Sequence, residues 1–505
     1  MTGGDGGQGR PAAAVPPGSR TALRPPVDPA RESPVVTAGA PTAGTPGKTA
    51  FVLAGGGAKG AFEAGAVSYL VEEAGVVPDV ITAASAGALF AALLAQARGR
   101  EEMVLQVRQL HEGLLSMTRA DLLFGKQPWV AALEGTLFGR AIDHWVVERT
   151  RPPVPGADGA TPAGAAVPPR RRTLRLVGQV ARSLPSLGRA GRRLRGRTGS
   201  VLTLDPLAQR LRSGGDGVAA IDPALVARPG LELRLAVVAL GAGVLRYVTG
   251  DGRIVASDAV TPVPGPAGGP VDLVDGIIAS SSVPMIFPPR PMAGDAYVDG
   301  GVVENIPVAA AAALGASRVY AILAVPLDPP QDRYDYTRAS APLVFLRAVG
   351  AISFAERQRS NLAPRLPAGT QLTVIDPLVD VIGPFDLSRG LMLLNTDYGW
   401  LRAADVCADL DAVTQRRVVE ATNAIVVART QAWHREEEMW NAGGASPVDL
   451  AALARCKRVV RDALSERKGL GLPTPPDAGS WWAGYEVHEG PRPAGLPRDL
   501  LDSCG

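Results

Sequence analysis

The chain has 505 residues and nearly balanced charge, with 52 Lys and Arg against 49 Asp and Glu and a formal net charge of +3. This length allows two or three domains, or one large α/β enzyme with insertions. So small a net charge argues against a nucleic-acid surface over the whole molecule. The three cysteines, Cys407, Cys456 and Cys504, are odd in number and far apart, so neither a disulfide framework nor a zinc site is predicted.

The first 48 residues differ in composition from the rest of the chain. Residues 1–48 are rich in Gly, Pro, Ala, Thr and Ser, and with so few large hydrophobic side chains they cannot repay the entropy of folding, so we expect them to be disordered. They also lack the apolar region of a secretory signal. No run of about 18 uncharged apolar residues follows, which argues against a spanning helix. We therefore expect a cytoplasmic protein.

A glycine-rich turn follows the first predicted strand. Residues 50–53 are a short apolar run without a polar face, which is typical of a strand buried on both sides in a parallel sheet. After Gly60 the apolar residues recur with the period of a helix, and Gly75 is placed to end it. The glycines thus lie on a strand-to-helix turn, where unpaired backbone N–H groups favour an anion or a developing oxyanion.

Two kinds of chemistry use such a turn. Gly55, Gly57 and Gly60 match the G-x-G-x-x-G pattern of dinucleotide binding. The alternative is an oxyanion hole for acyl transfer, for which the candidate residues are Gly55, Gly56, Gly57, Ala58, Lys59 and Gly60. Dinucleotide binding needs an acidic residue at the end of the second strand. Asp79 has about the right spacing but precedes that strand, and Ser85 stands where the acid should be.

Ser85 lies at a second strand-to-helix turn. Residues 80–83 form an apolar run, and an apolar helix is predicted over residues 86–97. This placement is typical of a nucleophile elbow, in which a sharp turn exposes a serine hydroxyl above the sheet. The elbow pattern has glycine on both sides of the serine. Gly87 fits it, whereas Ala83 adds one methyl group to a crowded turn.

A basic insertion interrupts the alternation of strands and helices. Residues 151–200 begin with a Pro/Gly/Ala-rich stretch, and ten arginines without an acidic residue then lie between Arg170 and Arg197, interleaved with Leu and Val. A basic amphipathic segment of this sort predicts contact with an anionic membrane, with a solvated, disordered insertion as the alternative. It has no aromatic residues for base stacking, so nucleic acid is not an expected partner.

Beyond the insertion, strands and helices alternate again. Strands are predicted over residues 233–240 and 244–249, joined as a hairpin, and a later short strand ends at Asp299. The sequence therefore predicts an α/β fold with a mainly parallel central sheet flanked by helices. Further helices, near residues 403–440 and 448–468, form a C-terminal extension, and the Pro- and Trp-containing tail after them is expected to pack on the surface.

Four motifs resemble those of the patatin-like lipid acyl hydrolases and occur in the order of that family. They are GGGAKG from Gly55 to Gly60, AASAG from Ala83 to Gly87, ASSSVPMIFPP from Ala279 to Pro289, and DGG from Asp299 to Gly301, which leads into Glu304-Asn305-Ile306-Pro307. The resemblance covers about residues 49–326 and weakens towards residue 405. It implies a patatin-like α/β/α sandwich, with a catalytic domain over residues 49–405, a helical extension over 406–470 and a tail over 471–505.

The resemblance also implies a two-residue catalytic centre. Ser85 would be the nucleophile and Asp299 the base that activates it, supported by Gly300 and Gly301, with no cofactor and no metal. A serine nucleophile needs an adjacent base, and none of the histidines lies in a recognisable motif: His111, His144, His434 and His488. A triad with histidine stays open, because triads tolerate any chain order.

Other residues are weaker candidates. Ser280, Ser281 and Ser282 have no oxyanion turn before them, so a structural role in a loop is favoured, and Asp295 has the surroundings of a turn residue. We therefore predict a serine acyl hydrolase, peripheral at the membrane, that cleaves carboxylic esters of phospholipids or related lipids. The main alternative is a weakly active or inactive lipid-binding or scaffold member of the same fold, which Ala83 suggests. The remaining alternative is a dinucleotide-binding oxidoreductase.

Overall fold

The computed structural model describes residues 36–37, 47–118, 120–131, 200–327, 336–339, 344, 346–493 and 496–497. The basic stretch between Arg170 and Arg197 lies outside these ranges, as does most of the segment expected to be disordered. Of that segment, Val36–Thr37 forms a two-residue strand and Lys48 already belongs to the next one.

The strands of the described residues form one large sheet and one small pair. The large sheet contains β1 (Val36–Thr37), β2 (Lys48–Leu53), β3 (Val80–Ala83), β6 (Glu232–Ala239), β7 (Val244–Thr249), β8 (Ile254–Val255), β9 (Arg290–Met292), β10 (Asp295–Asp299), β11 (Ala316–Ile322) and β12 (Gln371–Ile375); the pair consists of β4 (Gly125–Lys126) and β5 (Leu202–Thr203). Five adjacent strands of the large sheet, in the order β12-β11-β2-β3-β6, run parallel. Antiparallel strands flank them, including the predicted hairpin of β6 and β7.

Helices cover the sheet and continue beyond it. They are α1 (Ala61–Ser68), α2 (Ala86–Leu94), α3 (Gly99–Ser116), α4 (Ala120–Leu123), α5 (Pro128–Ala131), α6 (Asp205–Ser213), α7 (Pro223–Val226), α8 (Leu273–Ser280), α9 (Val308–Ala313), α10 (Phe354–Leu362), α11 (Arg389–Cys407), α12 (Ala412–Ala442), α13 (Pro447–Gly469) and α14 (Ser480–Ala483). Strand β3 is buried along its whole length, as is β2 after its first residue. The predicted α/β fold with a mainly parallel central sheet is confirmed.

The register of the sheet brings two distant parts of the chain together. Ala83, the last residue of β3, pairs with Leu235 of β6, and two residues further along β6, Val237 pairs with Asp299 of β10. Ser85 is two residues beyond Ala83, so it emerges level with Val237. Ser85 and Asp299 therefore reach the same edge of the sheet on either side of β6, although 214 residues separate them, the difference between their numbers.

The C-terminal helices are joined to the helix that follows the glycine turn. A Cβ atom on Gly65 of α1 would lie 1.8 Å from the carbonyl oxygen of Thr396, and one on Gly399 of α11 would lie 1.8 Å from that of Phe62. Only glycine allows the two backbones to approach this closely. Helix α11 thus packs directly against α1, which begins immediately after the glycine turn.

The described part of the tail packs against the helical layer, and some of its side chains enter the core of that layer. Trp481 is buried among residues of α12 and α13. The carboxylate of Glu486 forms ion pairs with Arg429 of α12 and Lys457 of α13, at 2.8 Å and 3.4 Å. The tail therefore completes a core that these helices alone would leave open. None of the described helices combines the length and apolar character needed to cross a membrane.

Candidate active site

Ser85 occupies a sharp turn between β3 and α2. Its φ of 54° and ψ of −130° are unusual for a residue with a side chain, and strained backbone of this kind persists only where the surroundings hold it. Here the Ser85 N–H donates to the Ser280 hydroxyl at 3.1 Å, and the Ser281 hydroxyl donates to the Ser85 carbonyl at 3.0 Å. The predicted strand, turn and helix around Ser85 are therefore present, with the strain expected of an elbow.

The two residues flanking the turn differ in how tightly they are packed. A Cβ atom on Gly87 would lie 2.6 Å from the carbonyl oxygen of Ala54 and 2.7 Å from that of Leu53, so this position requires glycine. Ala83 is a buried residue of β3, paired with Leu53 and Leu235 in regular register, and its φ is not positive. Its methyl group is therefore accommodated by the strand.

Asp299 ends β10 and points into the same buried region. Its side chain accepts a hydrogen bond from the Gly301 N–H at 2.7 Å, and the residue is 4% exposed. Burial raises the pKa of this carboxyl to about 7, while the nearby Ser85 hydroxyl and the Gly301 N–H act in the opposite direction. Such a group exchanges a proton near neutral pH, which is what a general base requires. A Cβ atom on Gly300 would lie 2.3 Å from the Ala236 carbonyl oxygen, so close packing explains the first glycine of DGG.

The glycine turn lies directly against Ser85. A Cβ atom on Gly55 would lie 2.4 Å from the Cβ atom of Ser85, and Gly57 has a φ of +61° and approaches the carbonyl oxygen of Pro384. A side chain at either residue would displace the turn. These contacts place the backbone of the turn beside the candidate nucleophile.

The hydrogen bonds of the turn restrict which of its amides are available. The N–H groups of Gly55, Ala58 and Lys59 donate to Asn305 Oδ1, the Pro384 carbonyl and the Gly56 carbonyl respectively. The N–H groups of Gly56 and Gly57 have no acceptor within the part of the chain that the structure describes. Among the six residues predicted from the sequence to form the oxyanion hole, Gly56 and Gly57 are therefore the candidate donors. Gly60 lies at the end of the turn, directly before α1.

Lys59 serves to hold this turn. Its Nζ atom lies 2.6 Å from Asp380 Oδ2, and its carbonyl accepts a hydrogen bond from Asn395 Nδ2 at 3.0 Å. The side chain is 12% exposed, so its charge is directed at Asp380 rather than into solvent. The segments that carry Asp380, Pro384 and Asn395 follow β12. Their contact with the site was not predicted, because nothing in their composition indicates a partner more than 300 residues earlier in the chain.

The part of the chain that carries this site is similar to a known protein family. The sequence profile of the family described as patatin-like phospholipase matches residues 51–312, just over half of the chain. The chain belongs to the patatin-like phospholipase family. Its four motifs, including the strained serine turn and DGG, lie within the matched residues, and membership of this family supports lipid hydrolase activity in general terms.

Individual relatives are more distant. The triacylglycerol lipase ptl3 of Schizosaccharomyces pombe is 42% identical over 73 residues, which are 14% of this chain and 15% of the lipase. The chain thus matches only a small part of that relative's length. Among solved structures, VipD from Legionella pneumophila has a TM-score of 0.27 at 15% identity, covering 90% of this chain and 94% of VipD. The type III effector protein ExoU has a TM-score of 0.20 at 16% identity, covering 87% and 72%. Both scores are too low to bear on function.

The other candidates from the sequence lie elsewhere in this patatin-like fold. Asp295 accepts hydrogen bonds from the N–H groups of Gly241 and Ala242, as expected of a turn residue. Asp79 accepts one from the Thr49 N–H at the start of β2, which is the opposite edge of the sheet from Ser85. Its position and the family membership contradict the dinucleotide-binding alternative.

The described histidines do not complete a triad with Ser85. His111 contacts Ser68, and His488 lies between Glu436 and Glu437. His434 packs against the ring of Trp433 on α12. His144 is outside the described residues.

Two serines and an asparagine near the site were not assigned a specific partner from the sequence. Ser280 and Ser281 hold the backbone of Ser85 from the end of α8, whereas the Ser282 hydroxyl donates to Ile278 within that helix. Asn305 bonds the glycine turn. The only signal for these contacts was the clustering of the residues in two motifs, which does not reveal what each side chain touches.

Proposed function

We propose that this protein is a serine acyl hydrolase that cleaves carboxylic ester bonds of phospholipids or related lipids. The observation that carries the proposal is the convergence of three features at one edge of the sheet: the strained Ser85, the buried Asp299, and the Gly56 and Gly57 amides, which have no acceptor among the described residues. These are a nucleophile, a base and a pair of oxyanion donors, which together meet the needs of acyl transfer.

In the first half of the proposed reaction, Ser85 Oγ attacks the ester carbonyl carbon and its proton passes to the Asp299 carboxylate. The negative charge that develops on the carbonyl oxygen is stabilised by the Gly56 and Gly57 N–H groups. When the tetrahedral intermediate collapses, the bond to the alcohol breaks, and the leaving oxygen takes the proton from Asp299. An acyl-enzyme on Ser85 and a free alcohol result.

In the second half, a water molecule attacks the acyl carbon and gives its proton to Asp299. The oxyanion again lies on the glycine turn, and collapse releases the carboxylic acid while the proton returns to Ser85. Asp299 thus acts alternately as base and acid, a role suited to a group with a pKa of about 7.

We further propose that the protein acts at an anionic membrane surface through the basic stretch between Arg170 and Arg197. The described residues on either side support this placement. Strand β4 precedes the insertion and pairs with β5 after it, and the N–H groups of Val201 and Leu202 donate to the Ile286 carbonyl. Ile286 lies four residues after Ser282, whose carbonyl accepts the Asp299 N–H at 3.0 Å. The described residues that follow the insertion therefore lie beside the candidate site.

The alternative function, a weakly active or inactive lipid-binding member of the fold, depended on Ala83 in the elbow. The regular strand geometry at this residue favours the active form. A fluorophosphonate probe discriminates the two, since it reacts with an activated serine.

The decisive experiment compares the wild type with Ser85→Ala and Asp299→Asn. Each variant should lose ester hydrolysis by at least about 10³-fold, since residues of a catalytic unit act together, and Ser85→Ala should also lose fluorophosphonate labelling. Ser282→Ala is the matched control, because it removes only a buried hydroxyl that donates to the Ile278 carbonyl and keeps the backbone carbonyl that accepts the Asp299 N–H; it should keep both hydrolysis and labelling. Hydrolysis at the wild-type rate in either catalytic variant would refute the proposed assignment of the two residues.

A further inference from the structure

The side chain of Asn305 bonds both backbone groups of Gly55, which precedes it by 250 residues. The Gly55 N–H donates to Asn305 Oδ1 at 3.0 Å, and Asn305 Nδ2 donates to the Gly55 carbonyl at 3.2 Å. One residue earlier, the Ala54 N–H donates to the Ile322 carbonyl at 3.2 Å, as in a sheet ladder. The Asn305 amide therefore takes the place of a neighbouring strand at the point where the sheet ends and the glycine turn begins.

This contact has a consequence for the next amide of the turn. The Gly55 carbonyl and the Gly56 N–H belong to one planar peptide unit, and in a trans peptide they point in opposite directions. The described residues contain no cis peptide bond. The hydrogen bond from Asn305 to the Gly55 carbonyl thus fixes the direction of the Gly56 N–H, and it also polarises that N–H as a donor.

Asn305 is itself held rigidly and touches the loop of Asp299. Asn361 Oδ1 on α10 accepts hydrogen bonds from the N–H groups of Asn305 and Ile306, at 3.1 Å and 3.4 Å. A Cβ atom on Gly301 would lie 2.7 Å from Asn305 Oδ1 and 3.1 Å from Asp299 Oδ1. Asn305 is 2% exposed, so these bonds are shielded from bulk solvent. The Asn305 amide therefore bonds the glycine turn and lies close to the DGG loop.

We propose that Asn305 is a positioning residue of the hydrolase: it orients the Gly56 N–H towards the oxyanion and holds the glycine turn at a fixed distance from Asp299. The inference rests on the proposed function, because it assigns Asn305 a part in transition-state stabilisation. A solely structural asparagine would instead satisfy buried backbone groups, and its loss would lower stability without changing the turnover of the molecules that remain folded.

The first test measures turnover per active site, with the folded fraction counted by fluorophosphonate labelling. Asn305→Ala should reduce kcat by about 10- to 100-fold, somewhat less than the loss expected when an oxyanion donor is removed outright. KM should stay within about 3-fold, since the interaction is made in the transition state rather than with bound substrate. A boronic acid or trifluoromethyl ketone that mimics the tetrahedral intermediate should bind more weakly by a similar factor as kcat.

Thr82→Val is the matched control. The buried Thr82 hydroxyl donates to the carbonyl of Pro307 at 2.9 Å, and Pro307 lies two residues after Asn305. Removing this hydroxyl therefore breaks one buried hydrogen bond to the same segment and leaves the bonds of the glycine turn intact. This variant should lose stability but keep its kcat per labelled site. Equal kcat values in Asn305→Ala and Thr82→Val would overturn the positioning role.

A second variant covers the case in which Asn305→Ala does not fold. Asn305→Asp keeps the shape and the acceptor for the Gly55 N–H, but the ionised carboxyl cannot donate to the Gly55 carbonyl. When protonated, it regains a donor, so the ratio of variant to wild-type kcat should rise as the pH falls. A ratio that is constant with pH would contradict the proposal. If the wild type itself showed neither ester hydrolysis nor fluorophosphonate labelling, the proposed function would be refuted, and the positioning role would fail with it.

Discussion

Asp299 Oδ1 accepts a hydrogen bond from the Gly301 N–H at 2.7 Å. This bond stabilises the charged carboxylate, whereas the burial of Asp299 favours the neutral acid, and burial is the larger effect. The second glycine of DGG thus limits how far the pKa rises. A base with a pKa of about 7 is partly ionised at neutral pH and still basic enough to accept the proton of a serine.

The first prediction concerns the pH dependence of catalysis. Since Asp299 must be ionised to act as the base, kcat/KM should rise with pH and level off above a midpoint of about 7. The measurement is kcat/KM for a neutral ester substrate in solution between pH 5 and 9, limits chosen to span about two pH units on either side of that midpoint. A profile that is flat across this range would show that no group with this pKa controls the reaction.

The same carboxyl should influence stability. The pKa of Asp299 in the folded protein is raised above its usual value of 3.8. Its contribution to stability is therefore fully present below pH values of about 4 and is lost as the pH rises through about 7. Asp299→Asn removes this titration, so its melting temperature should exceed that of the wild type by more at pH 8 than at pH 4, where most of this contribution is still present. An equal difference at both pH values would contradict the predicted pKa.

The second prediction separates the two residues that flank the elbow. Gly87→Ala should reduce kcat by more than about 10-fold, because its methyl group would clash with the Ala54 and Leu53 carbonyl oxygens and small displacements of reacting groups are costly. Ala83→Gly should leave labelling by a fluorophosphonate unchanged and lower the free energy of unfolding by about 0.5–1 kcal/mol, since glycine weakens a strand. Faster labelling of Ala83→Gly would support the view that Ala83 impairs the elbow.

The third prediction tests the contribution of the tail to the helical layer. Glu486→Ala should lower the free energy of unfolding by about 3–5 kcal/mol, because it leaves Arg429 and Lys457 buried without this partner. Glu466→Ala is the control: Glu466 pairs with Arg417 on the surface, where both side chains are about half exposed, and such pairs contribute about 0–1 kcal/mol. Chemical denaturation measures both. Similar losses in the two variants would mean that the tail does not form part of the core.

The fourth prediction concerns the basic insertion. Replacing residues 152–199 by a short Gly/Ser linker should weaken binding to vesicles that contain phosphatidylserine, and added salt should do the same to the wild type, because exposed charges are screened. Vesicles of phosphatidylcholine alone are the control and should bind both proteins equally weakly. Hydrolysis of a soluble ester should be unchanged, because the paired strands β4 and β5 lie outside the replaced residues. Unchanged binding to anionic vesicles would leave the alternative of a solvated insertion.

The sequence by itself determined the parallel core and the two turns of the site. An apolar run such as residues 80–83 predicts a buried strand without knowledge of the strands beside it. A turn with no room for a side chain requires glycine, as at Gly87, and that glycine can be recognised in the sequence. Local periodicity and backbone sterics act over a few residues, so they can be recognised without the fold.

Only the tertiary structure decided which groups meet. The order and register of the strands place Ser85 and Asp299 on either side of Val237, and no local pattern encodes that pairing. The same holds for the hydrogen bond that occupies the Ala58 amide while the Gly56 amide has no acceptor in the described ranges. It also holds for Glu486, since nothing in the tail sequence indicates its ion pairs with α12 and α13. Hydrogen bonds and ion pairs between distant residues depend on positions fixed by the whole core, and for this reason the sequence could supply the chemical groups of the site but not their arrangement.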